Sequence, residues 1–221
     1  MVYLDARGRS NAGDLNRLAG YLKMGEVESK DVTEFANFLK NGHENKDRFG
    51  KFMIWGWSYG AFVVSHAAGL QDDVWSCAIA VQSISSADSF DTIFIEKLMR
   101  DKSLNQEGYD KSVVMSNLDR KQFFTKYSLI MGTSDNAHHF NNAALISKRV
   151  VDSGFEFNNY FISNGQSLRK HYISHRWMHG VMDEMDKGHS EEDFLESADL
   201  IGKRVYKLLL RKIMDCQRGE L

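Results

Sequence analysis

The chain has 221 residues, of which 43% are hydrophobic and 12% aromatic, enough apolar side chain for a substantial core and too much for wholesale disorder. Its 28 basic and 30 acidic side chains nearly cancel, so a net charge of −2 offers no basic face for nucleic acid. No run approaches the roughly 18 apolar residues of a membrane span, and the VYLDARG after Met1 has neither the basic start nor the apolar run of a signal peptide.

In chain order, strand-like and helix-like segments alternate. Val2–Leu4 is a short β-type run. Val32, Phe35, Ala36 and Leu39 fall at i, i+3, i+4 and i+7, one face of a helix that Gly42 stops. Phe49–Trp55 is a short apolar run, with helix-compatible residues from Tyr59 onward. Cys77–Val81 and Tyr127–Met131 are apolar without polar alternation, as in strands buried on both faces of a parallel sheet. Phe140–Val151 returns to helical spacing and stops at Asp152-Ser153-Gly154. Phe155–Ile162 is a further strand. Ala198, Ile201, Val205, Leu208 and Leu209 form the apolar face of a last helix. This order predicts an α/β fold with a mostly parallel sheet covered by helices on both faces. Ligand sites in such sheets lie at the carboxyl ends of the strands. The polar, His-rich stretch 163–196 reads as a surface insertion.

Proline is absent, although a typical usage of about 5% would supply roughly eleven. Gly, Asn, Asp and Ser must therefore form the turns. Cys77 and Cys216 are too far apart for a CxxC redox or zinc pattern, and composition alone reads them as unrelated buried thiols.

The sharpest chemical signal is Gly56-Trp57-Ser58-Tyr59-Gly60. It follows an apolar strand-like run and opens a helix-compatible one. Such a turn exposes the Ser58 hydroxyl above the sheet and aims the Tyr59 N–H at a developing oxyanion. A serine becomes nucleophilic only when a base takes its proton, and in this arrangement the acid and then the histidine follow the serine in the chain. Asp135, just past the strand ending at Met131, fits the second place. The bland alternative is a helix N-terminal Asp before Phe140.

The histidine is less sharply marked. His138 and His139 read as too close to Asp135 to occupy the next loop. His171, His175 and His179 recur at i+4. Three such imidazoles can bind zinc, but no HExxH accompanies them, so they read as a solvated or amphipathic helix and no metal is expected. His189 lies in the turn-rich Asp186-Lys187-Gly188-His189-Ser190.

The sequence resembles the prolyl oligopeptidase-type serine peptidases, in their dipeptidyl peptidase IV and fibroblast activation protein branch. The matching stretches are Asp5-Ala6-Arg7-Gly8, Gly25-Glu26-Val27-Glu28, Ile54-Trp55-Gly56-Trp57-Ser58-Tyr59-Gly60, Cys77–Val81 and Gly132-Thr133-Ser134-Asp135. Ile146-Ser147-Lys148, Val151–Gly154 and Val205 through Cys216 match as well. The resemblance implies an α/β-hydrolase fold lacking its first strands, and removal of dipeptides after proline or alanine without a cofactor. It implies a Cys77–Cys216 disulfide, and hence a cell-surface or secreted parent, since disulfides persist in oxidising compartments. It also implies an upstream β-propeller and leaves room for a homodimer. The chain would then be a single peptidase domain over 1–221, with an insertion near 163–196.

Carried over residue by residue, Ser58 is the nucleophile and Asp135 the acid. Tyr59, Ile84, Phe90 and Phe94 wall the pocket for the side chain before the scissile bond; aromatic walls suit a flat proline ring. Phe90 and Phe94 also fit ordinary helix packing at i, i+4. Ala137 stands where the family has an Asn, and Gln82 where a proline is usual. The family pattern Asp-x-x-His followed by Ser or Gly places the base at His189, if a surface loop absorbs an insertion of about two dozen residues, which closure entropy allows cheaply. Without that insertion the position falls on Gln166 or Ser167, neither a useful base. The alternative function is therefore an inactive homologue that serves as a binding subunit of membrane proteins.

Overall fold

The computed structural model describes residues 4–8, 12–42, 51–70, 72–116, 126–133, 138–155, 157–162 and 200–220, with side chains from 207 onward in the last segment. Among the described residues four strands form one sheet in the order β1-β2-β3-β4, every pair parallel. They are β1 (Phe52–Trp57), β2 (Trp75–Val81), β3 (Lys126–Gly132) and β4 (Asn158–Ile162). The α-helices among the described residues are α1 (Asp14–Arg17), α2 (Glu26–Asn41), α3 (Tyr59–Gly69), α4 (Thr92–Met99), α5 (Gln106–Lys111), α6 (Asn141–Asp152) and α7 (Leu200–Arg218).

The two apolar strands segregate their side chains by the period of two. On β2, Ala78 and Ala80 join one core with Phe62 and Val64 of α3 and Ile146 and Val150 of α6. The alternate Ile79 and Val81 join a second core with Ile130 of β3 and Leu209 of α7. Both faces of the sheet are thus covered, which is why β2 and β3 lack polar alternation. The small residues of β2 on the first face allow α3 to lie close. Buried hydroxyls on that face are satisfied: Ser65 of α3 bonds Ser83 Oγ at 3.1 Å and Tyr127 Oη at 2.8 Å.

Cys77 lies on the second face of β2, and Cys216 lies seven residues, two helical turns, beyond Leu209 on α7. Their Cα atoms are 6.1 Å apart and the sulfurs are bonded. The disulfide implied by the family resemblance is present, and the reading of two separate thiols is corrected.

Two local expectations change. Leu4 belongs to no strand; Val2 and Tyr3 lie outside the described residues. Gln82 has φ 56° and donates its N–H to the Ile130 carbonyl at 2.8 Å. Proline, with φ locked near −65° and no N–H, cannot take that conformation, so the equivalence of Gln82 with a family proline is corrected.

Candidate active site

Ser58 occupies the single residue between β1 and α3. Its φ of 57° and ψ of −120° are strained for a residue with a Cβ. The strain is held from both sides: Ser58 N–H donates to the Val81 carbonyl at 2.9 Å, and the Ser58 carbonyl accepts from Phe62 N–H at 3.1 Å. The first bond ties the turn to the end of β2. The second opens the helix. Tyr59 is the first residue of α3, so its N–H is among the first-turn donors that have no partner within the helix. This is the strand–turn–helix context expected around GWSYG.

The Ser58 Oγ lies 2.9 Å from Nε2 of His138. His138 comes from the connection between β3 and α6 and is only 2% exposed. Its ring stacks on Phe90, with centroids 5.3 Å apart and planes 30° apart. Phe90 meets Phe94 edge-on at 5.5 Å, and Phe94 meets Tyr59 edge-on at 6.3 Å. A continuous run of rings therefore leads from His138 to Tyr59 around the serine. Phe94 stays 40% exposed, and Phe90 and Phe94 contact each other at i, i+4. Phe90 is extended and precedes Asp91, the cap of α4, so the two rings meet without sharing a helix, and the reading of helix packing at i, i+4 is corrected. Ile84 lies within the first core and has no exposed surface.

The Tyr59 hydroxyl donates to Glu28 Oε1 of α2. Burial, followed by the Glu28 carboxylate, holds the phenol well above its ordinary pKa. Tyr59 is therefore a fixed hydrogen-bond donor whose ring can form a wall. Asp135 and His189 lie outside the described residues, as do Gln166, Ser167 and the His171, His175 and His179 series. Along the chain His138 reads as too close to Asp135 to serve as the base. The structure brings it to Ser58. The only sequence signal was position: the loop after β3 ends at the same sheet edge as the turn after β1.

The model of the prolyl oligopeptidase family matches residues 1–196. The chain belongs to that family. Relatives include prolyl endopeptidase FAP of Mus musculus, 35% identical over 187 residues, covering 79% of this chain and 24% of the relative. Dipeptidyl peptidase 4 of Felis catus is 37% identical over 157 residues, 69% of this chain and 20% of the relative. The chain thus spans about a quarter of the curated relatives it matches. Among solved structures, dipeptidyl peptidase 4 of Porphyromonas gingivalis superposes with a TM-score of 0.62 at 23% identity, over 78% of this chain and 25% of that one. The shared fold is the α/β-hydrolase fold, which the four parallel strands and the turn at Ser58 display.

Proposed function

We propose that this chain is the catalytic part of a serine peptidase of dipeptidyl peptidase type, acting on peptides after proline or alanine. One observation carries the reading: Ser58, in a strained turn at the head of α3, lies 2.9 Å from an imidazole nitrogen. A hydroxyl so placed can lose its proton as it attacks a carbonyl. The helix-start N–H of Tyr59 is suited to stabilise the oxyanion that forms. Asp135 would hold the imidazole in the right tautomer. The family pattern assigns that imidazole to His189, whereas the geometry brings His138 to the serine. The rings of Tyr59, Phe90 and Phe94 offer broad apolar contact to a proline side chain.

The relatives named dipeptidyl peptidase 4 support the substrate class, and the Cys77–Cys216 bond supports a cell-surface or secreted parent. An upstream propeller and a homodimer, as the family resemblance implies, belong to the same reading.

The test is labelling by a fluorophosphonate probe, with Ser58→Ala as the blank, followed by hydrolysis of Ala-Pro and Gly-Pro p-nitroanilides. Rapid labelling and release of nitroaniline, both lost in Ser58→Ala, are expected. Labelling no faster than the blank would overturn the peptidase and leave a binding subunit.

A further inference from the structure

We propose that His138 is the general base for Ser58, in the place that the family pattern gives to His189. The inference rests on Ser58 being the nucleophile of a peptidase.

Three observations carry it. The first is reach: Nε2 to Oγ is 2.9 Å, within hydrogen-bond distance of the proton to be taken. With the ring proton on Nδ1, the Ser58 hydroxyl donates to Nε2, the geometry that proton transfer requires. The second is fixation of the ring. His138 is buried and packs its ring on that of Phe90, with planes 30° apart, so its imidazole is held by packing rather than left to sample solvent. The third is fixation of the backbone. The His139 carbonyl accepts from both the Asn142 N–H at 2.9 Å and Asn142 Nδ2 at 3.2 Å. The same buried Asn142 accepts from Ser85 N–H at 2.8 Å through Oδ1 and donates to the Ser89 carbonyl at 3.3 Å. The segment bearing His138 is therefore clamped to the loop that follows β2, next to the turn at Ser58. Catalytic constellations need this support, because a base about 1 Å out of place forfeits much of its rate.

The proton balance is complete without a further group. As Oγ bonds to the peptide carbonyl carbon, its proton passes to Nε2 and the carbonyl oxygen takes the negative charge. Collapse of the tetrahedral adduct breaks the C–N bond, and the Nε2 proton leaves on the amine. A water then gives a proton to Nε2 as it attacks the acyl-serine. That proton returns to Oγ when the acid departs.

The experiment uses the full chain with its disulfide intact and reads the labelling rate with the fluorophosphonate probe. His138→Gln keeps a polar group of similar reach that cannot take a proton, so it separates folding from chemistry; circular dichroism checks the fold. His138→Gln should slow labelling by about 10²–10⁴-fold, the usual contribution of a general base. His138→Ala should slow it likewise and recover part of the rate with added imidazole. His171→Ala should label at the unaltered rate. A folded His138→Gln that labels as fast as the unaltered chain overturns the assignment while leaving Ser58 a nucleophile. So does loss of labelling in His189→Ala with His138→Gln unaffected. An unaltered chain that labels no faster than Ser58→Ala removes the peptidase reading and this base with it.

Discussion

Gly56 and Gly60 meet across the turn that presents Ser58: a Cβ on residue 56 would stand 2.4 Å from the Gly60 carbonyl oxygen. No such crowding surrounds Gly60, where an added Cβ has nothing within 4 Å. The two glycines of GWSYG therefore have unequal duties. Gly56 permits the strand to pass against the helix start; Gly60 is an ordinary helical position with space around it. Gly56→Ala should lower stability by about 1–3 kcal/mol, the usual cost of overpacking against a backbone that cannot yield, and should suppress probe labelling. Gly60→Ala should be neutral or stabilising by about 0.5–1 kcal/mol, since alanine favours a helix over glycine. Urea melts of the two variants check the difference; equal losses would contradict the asymmetry.

The Cys77–Cys216 bond closes a loop of sequence separation 139 between the middle of the sheet and the last helix. A closure that long chiefly restricts the unfolded chain. Reduction, or Cys77→Ser with Cys216→Ser, should cost about 2–4 kcal/mol. The measurement is the urea midpoint with and without reductant. A midpoint indifferent to reductant in the unaltered chain would remove the stabilising role.

His66 of α3 packs edge-on against Phe62, and its Nε2 meets the Ser112 carbonyl at 3.1 Å. Burial lowers its pKa to about 4, against weaker upward pulls from the Ser112 carbonyl and Glu26. The folded state therefore holds His66 neutral, with Nε2 carrying the proton that it donates to Ser112. The unfolded state, with a pKa near 6.5, gains a proton that the folded state refuses. The stability contribution is full above about pH 6.5 and is lost as pH falls towards about 4, on the order of 3 kcal/mol in all. His66→Gln, which keeps the donor but does not titrate, should show a shallower fall in stability over that window. Parallel slopes in the two proteins would exclude His66 as the cause.

Tyr59→Phe keeps the ring contacts with Phe62 and Phe94 but removes the donor to Glu28. The half-buried carboxylate then loses a partner that water replaces poorly. The expected cost is about 1–2 kcal/mol, read by thermal or urea unfolding. Pairing the change with Glu28→Ala in a double-mutant cycle should give a double loss smaller than the sum of the single ones. Strict additivity would show that the bond contributes nothing.

The four strands and helices α2, α3, α6 and α7 are legible in the sequence because their periods are local, whereas the short α1, α4 and α5 carry no such signal. CAIAV and YSLIM read as doubly buried strands, and they are β2 and β3. The 3.6-residue spacing around Val32–Leu39 and Phe140–Val151 found α2 and α6. GWSYG marked Ser58 because a tight turn between an apolar strand and a helix is a short-range pattern. The pairing of Cys77 with Cys216 came from resemblance, since spacing alone cannot join residues at the two ends of a sheet and a helix. What tertiary structure alone decided was the company of Ser58. His138 lies three residues after Asp135, a spacing that reads along the chain as too short to reach the next loop. The loop after β3, however, opens at the same carboxyl edge as the turn after β1, and Asn142 clamps it there. Likewise, only the approach of two backbones separates the duty of Gly56 from that of Gly60. Periodicity reports which face of an element is buried; which side chain of a loop meets which atom depends on the placement of elements far apart in the chain, and no local pattern encodes that distance.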